Sequence, residues 1–183
     1  MALDIKVKAC KYLTENLSEN QIAKLMEDFF QWKRLGLAGE FDSFIFGKDS
    51  LYKPPASPLN TLSHVHMLPP NNDRHFDQWV VDHNRRPPSR KTSNVALVYA
   101  TYTNSISKKQ TFLLIGFLEN PDAHEIPKRQ TQDHKDRMAR YNAAAAEFIQ
   151  DFKRPAELIN EALTIPKPKV PPGAPCLPIP PAC

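Results

Sequence analysis

The chain has little cysteine, little glycine and no long apolar run. Its three cysteines, Cys10, Cys176 and Cys183, do not make a disulfide framework, and no pair has zinc-finger spacing. Cys183 stands last rather than fourth from the end, which excludes a prenylation box. The start, Met1-Ala2-Leu3-Asp4-Ile5-Lys6, lacks the apolar run of a signal peptide, and no stretch is long enough to span a membrane. These absences point to a soluble, reducing, cytoplasmic setting. Against five glycines stand eighteen prolines. Eight of those lie between Pro166 and Pro181, so the excess is local and marks a polyproline-like or disordered tail.

What is present suits one globular domain: 183 residues, 41% hydrophobic and 24% charged. The net charge of +4 is unevenly placed. Residues 1–50 carry net −1, residues 51–110 net +5 and residues 111–183 net 0. The basic segment favours an anionic partner, nucleic acid or acidic protein, and from charge alone a solvated basic loop is an equal alternative.

Ile5 to Ala9 alternates apolar and charged residues, as a half-buried strand does. Ser18 and Gln21 form a capping box ahead of Ile22, Leu25, Met26, Phe29, Phe30 and Lys33 at helical spacing, with Gly36 as the stop. That helix is expected to bury Leu25, Met26 and Phe29. Phe44 to Tyr52 reads as a compact segment turning at Gly47, with Asp49 as a cap. Strands are expected over Leu59–Met67, Val95–Tyr102 and Phe112–Leu118, an antiparallel meander. Phe76, Trp79, Val80 and Val81 suggest a small ordered element between the first two. Thr131 or Asp133 opens a helix to about Phe152, with Met138, Tyr141, Ala145, Phe148, Ile149 and Phe152 as its apolar stripe. The expected fold is α+β: an N-terminal strand and helix, an antiparallel sheet, and a C-terminal helix packed on the sheet. The expected division is a domain over 1–153, a short extra helix over 154–165 and a proline-rich tail over 166–183.

His64 and His66 stand at i and i+2, so on a strand they share a face. Cleaving RNA needs a base for the 2′-hydroxyl, an acid for the leaving 5′-oxygen and positive charge at the phosphate. Histidine titrates near neutrality and suits the first two roles. His124 follows the strand expected to end beside this face, and His134 lies nearby. The same three imidazoles, His64, His66 and His124, are also a conceivable zinc set, although no acidic or cysteine ligand is placed with them. Asp49 is a cap or an orienter of histidine. Tyr52 and Tyr99 can stack on a base, donate to phosphate or sit in the core. Arg85, Arg86, Arg90, Lys91, Lys108, Lys109, Lys128 and Arg129 are candidates for phosphate contacts.

Several of these pieces together resemble the YafO family of toxins from bacterial type II toxin–antitoxin systems, whose fold and activity are similar to those of RelE-like ribonucleases. They are Phe46-Gly47-Lys48-Asp49-x-Leu51-Tyr52, His64-Val65-His66, Leu97-Val98-Tyr99, Leu113-Leu114-Ile115 leading to Pro121-x-x-His124, and His134-Lys135 followed by Met138-Ala139. They occur in the family's order over roughly residues 5–152. Lys48 stands where the family has arginine, keeping the charge without the bidentate fork. Asn94 replaces an acid in the run Lys91-Thr92-Ser93-Asn94. The resemblance implies an RelE-like domain and a ribosome-associated endoribonuclease that cuts mRNA without a metal or other cofactor and is silenced by a cognate antitoxin. It implies His64, His66, His124, His134, Tyr99 and Asp49 as catalytic candidates and adds Lys48 to the RNA contacts. The alternatives are a non-catalytic RNA- or ribosome-binding translation inhibitor, and a basic interaction module whose tail recruits a partner.

Overall fold

The computed structural model describes residues 4–71, 73–119 and 123–163, with side chains described up to residue 153. The elements are β1 (Ile5–Ala9), α1 (Lys11–Thr14), α2 (Glu19–Arg34), α3 (Gly39–Asp42), β2 (Phe46–Leu51), β3 (Leu62–Met67), α4 (Phe76–Asn84), β4 (Ala96–Thr103), β5 (Gln110–Leu118) and α5 (Gln132–Leu163). The five strands form one sheet in the order β1-β5-β4-β3-β2. β1 runs parallel to β5, and every other pairing is antiparallel.

Alternation along the strands divides the core in two. Val65, Leu97, Tyr99, Phe112 and Leu114 pack with Leu25, Phe29 and Trp32 of α2. Leu62, Ala96, Val98, Ala100, Leu113 and Ile115 pack with Met138, Tyr141, Ala145 and Phe148 of α5. Helices therefore cover both faces of the sheet. The lone helix layer expected from the sequence is completed by α2, which turns its stripe to the other side. Met26 on that helix is only half buried; Trp32 takes its place, 3% exposed against the ring of Phe46 at 5.1 Å.

The N-terminus of α2 is the expected capping box, with both reciprocal bonds between Ser18 and Gln21. Gly36 just beyond the C-cap has φ +60°, the left-handed conformation that glycine allows most cheaply. At the start of α5, Thr131 Oγ1 accepts the His134 N–H at 3.2 Å. The assigned helix then continues without a break through Pro155 to Leu163. The proline-rich tail lies outside the described residues.

The segment around Gly47 departs from expectation. It is no turn but an edge strand, β2, paired with β3. Gly47 is needed there for close approach: a Cβ would stand 2.3 Å from the Lys91 carbonyl oxygen and 2.9 Å from the Trp79 ring. Asp49 accordingly caps no turn; it points to the α2 face. A register shift lies between Phe46 and Asp49, and another between Val98 and Tyr99. Such irregularities re-aim side chains.

Candidate active site

Three histidines meet on the α5 face of the sheet. Val65 between the first two belongs to the α2-side core, so His64 and His66 project to the other side. Their rings are 5.5 Å apart, nearly perpendicular. His124, from the loop after β5, brings its ring to 5.1 Å from that of His66. Tyr52 stacks on the opposite flank of His64, with centroids at 4.1 Å and planes 17° apart. The row thus runs Tyr52, His64, His66, His124, from a buried phenol to an exposed imidazole. α5 lies chiefly over β4 and β5, and Tyr52 at the inner end of the row packs in the core cluster of α5.

Each member has a different electrostatic setting. Burial pushes the His64 pKa down to about 4, and His66 and His124 add to this, while the Asp49 carboxylate opposes it. His64 is therefore a neutral imidazole at physiological pH. Its Nδ1 is buried and makes no hydrogen bond among the described residues. His66 is 3% exposed, and its Nδ1 lies 2.8 Å from the Ser93 carbonyl oxygen. Burial, with Tyr141 nearby, raises the Tyr52 phenol well above its ordinary value, so it stays protonated. Lys48 on β2 is exposed, and its charge reaches His64.

His134 lies on the same face, buried one helical turn ahead of Met138. No ring contact among the described residues joins it to the trio. Tyr99 and Asp49 lie on the other face. There the Tyr99 hydroxyl donates to Asp49 at 2.7 Å, and Lys33 Nζ donates to Asp49 at 2.8 Å and to Tyr99 at 2.7 Å. Lys33 also sits over the rings of Trp32 at 4.3 Å and Tyr99 at 4.6 Å. Burial lowers its pKa, and Asp49 opposes the shift. Burial raises the Tyr99 phenol, with Asp49 adding to it. The six catalytic candidates are therefore not one constellation: the sheet separates Tyr99 and Asp49 from the histidines. Sequence reasoning missed Lys33 as a partner here, although a lysine on the apolar stripe one turn after Phe29 signals a buried cation.

The basic candidates divide too. Lys91 is a correction: it is fully buried, its Nζ donating at 2.9 Å to the carbonyls of Glu40 and Phe41, and it does not reach solvent to meet phosphate. Lys108 and Lys109 occupy the β4–β5 turn, the length of β4 away from His66, and Lys109 pairs with Asp4. Arg90 pairs with Glu40 at 2.9 Å. Arg85 and Arg86 are exposed after α4, with Arg86 donating to the Arg85 carbonyl. Lys128 and Arg129 share the loop of His124; Lys128 pairs with Glu125, and Arg129 donates to the Pro55 carbonyl. Among the described residues no three His, Cys, Asp or Glu side chains come together as a metal-ligand set. None of the described helices is long and apolar enough to cross a membrane.

Comparison with known proteins agrees with this arrangement of motifs. Residues 30–150 match the family described as Toxin YafO, type II toxin-antitoxin system. A curated relative, mRNA interferase toxin YafO of Escherichia coli (strain K12), is 27% identical over 135 residues, covering 72% of this chain and 91% of the relative. No solved structure matches. The match spans β2 to β5, the histidine row and most of α5, and on that ground the chain belongs to the YafO family of type II toxin–antitoxin toxins.

Proposed function

We propose that this toxin is an mRNA interferase, an endoribonuclease that cuts mRNA on the ribosome, inhibits translation and is silenced by a cognate antitoxin in the cytoplasm. The observation that carries the reading is the histidine row, in which a half-buried neutral imidazole, a buried one and an exposed one lie side by side. The name of the E. coli relative supports it.

The chemistry needs no external reactant beyond water. His124, at the exposed end, takes the proton from a ribose 2′-hydroxyl. The O2′–P bond forms, the P–O5′ bond breaks, and the 5′-oxygen leaves with a proton drawn from solvent. The products are a 2′,3′-cyclic phosphate and a 5′-hydroxyl. Lys48 supplies positive charge on the strand beside His64, where negative charge develops on the phosphoryl oxygens. Lys128 and Arg129 guide the backbone towards His124. The Lys33–Asp49–Tyr99 group ties α2 to β2 and β4 behind the site and holds the strand that carries Lys48. His134, in the first turn of α5, is a buried part of the core on this face.

End-group analysis of a cut reporter mRNA tests this chemistry. The expected result is a cyclic phosphate upstream and a 5′-hydroxyl downstream of each cut, unchanged by a chelator. A 5′-phosphate downstream excludes attack by the 2′-hydroxyl.

A further inference from the structure

His64 and His66 are held differently. His64 Nδ1 has no hydrogen-bond partner among the described residues, whereas His66 Nδ1 faces the main chain of Ser93. The Ser93 carbonyl oxygen is 2.8 Å away and the Ser93 nitrogen 3.2 Å. These contacts ask for opposite states of Nδ1: the carbonyl needs a proton on it, and the N–H needs a lone pair. The shorter contact decides for Nδ1–H, since 2.8 Å is a full-strength N–H to carbonyl bond and 3.2 Å lies at the long end of the range. A histidine nitrogen bonded to a backbone carbonyl fixes what the other nitrogen can do.

Ser93 is itself fixed. Its Oγ lies 2.6 Å from the Met67 carbonyl and 2.9 Å from the Val95 carbonyl, and accepts the Val95 N–H at 3.2 Å. The residue therefore locks the end of β3 to the start of β4 with its peptide against the imidazole. With Nδ1 committed to that peptide, Nε2 is the nitrogen through which His66 can exchange a proton, and the centroid of the His124 ring lies 5.1 Å from that of His66.

We propose that His66 is a positioning residue for His124: the Ser93 carbonyl holds its Nδ1–H tautomer, so that its Nε2 takes over the proton that His124 collects from the 2′-hydroxyl. The inference rests on the reading of the site as RNA-cleaving. The proton moves from O2′ to His124 and on to His66 Nε2. The resulting imidazolium keeps its Nδ1–H on the Ser93 carbonyl, so the new charge forms against an oxygen acceptor. After the bond exchange at phosphorus, the proton returns to the hydroxide left when water protonated O5′. The titratable rings in contact with His66 among the described residues include those of His64 on its own strand and His124 from the loop. Tyr52 stacks beyond His64, and the charges of Lys48 and Asp49 reach His64. Across the pairing with β4, His66 and His64 stand opposite the apolar Ala96 and Val98.

Two measurements on the full chain test the proposal. Nitrogen-15 NMR of the imidazole rings reads the tautomer directly; His66 is expected as the neutral Nδ1–H form. The second is the pH–rate profile of His66→Asn. The asparagine amide nitrogen stands where Nδ1 stood and keeps the donation to Ser93, while nothing stands at Nε2. The variant is expected to fold, to cut on the order of 10²-fold more slowly, and to lose the profile limb set by the imidazole pair. An Nε2–H tautomer in the wild type overturns the inference, as does an H66N variant with the wild-type rate and profile. A wild-type protein that cuts no RNA even with ribosomes present overturns the functional reading instead, and the NMR result still decides the tautomer.

Discussion

His64 carries a cost that shows in stability. Its folded pKa, about 4, lies below its ordinary value of 6.5, so between these values the unfolded chain binds more protons. Stability from this group is complete above about pH 6.5 and is lost as pH falls towards 4. A His64→Gln variant is expected to flatten that acid limb, read as the melting temperature against pH; an unaltered limb assigns the acid sensitivity elsewhere. On the other face, Tyr99→Phe removes a donor from a half-buried carboxylate. It is expected to cost about 1–3 kcal/mol by denaturant unfolding while leaving the cleavage rate of the folded protein near wild type. A fold-intact Y99F toxin without cleavage restores Tyr99 to the catalytic group.

Among elements, β2 is where sequence and structure part. The apolar periods of α2 and α5, the alternation of β1 and the runs of β3, β4 and β5 were legible because one buried face leaves its period in the chain. β2 was not. Phe46 enters one core, Lys48 is exposed and Asp49 returns to the α2 face across a register shift, so no period survives. Gly47 suggested a turn because glycine is the usual residue there, but here it admits the Lys91 carbonyl to the strand. Gly47→Ala therefore forces Lys91 and Trp79 apart and is expected to destabilise by roughly 1–3 kcal/mol. An unchanged unfolding midpoint contradicts the packing described. The shared face of His64 and His66 was legible from spacing alone. That Tyr99 and Asp49 lie behind it was not: Tyr99 alternates regularly with Val98 and Ala100, but its side relative to the histidines follows from the pairing of β4 with β3, and Asp49 follows a register shift, neither of which leaves a mark in the sequence. Lys91 failed for a related reason: a lysine in a basic loop looks like any other, and only the approach of α3 supplies the carbonyls that bury it.

Across the whole molecule, charge and site coincide in part. The segment with net +5 carries the HxH strand, but Lys91 within it is internal and Lys108 and Lys109 lie at the far end of the sheet. The charge of Lys48 reaches His64, and Lys128 and Arg129 share the loop of His124. If these guide the RNA backbone, affinity for single-stranded RNA falls with salt by about 0.7 log unit per neutralised phosphate for each decade. Lys48→Gln is expected to lower that slope, and a flat salt response in the wild type would mean that the charges only solubilise the surface. The sharpest test remains the chemistry. Primer extension on a reporter mRNA in a cell-free translation system, comparing wild type with His124→Ala, addresses it directly. Discrete cuts with wild type that vanish with the folded variant are the predicted result. Identical cuts from both proteins, or arrested translation over intact mRNA, would contradict an active site built on the histidine row.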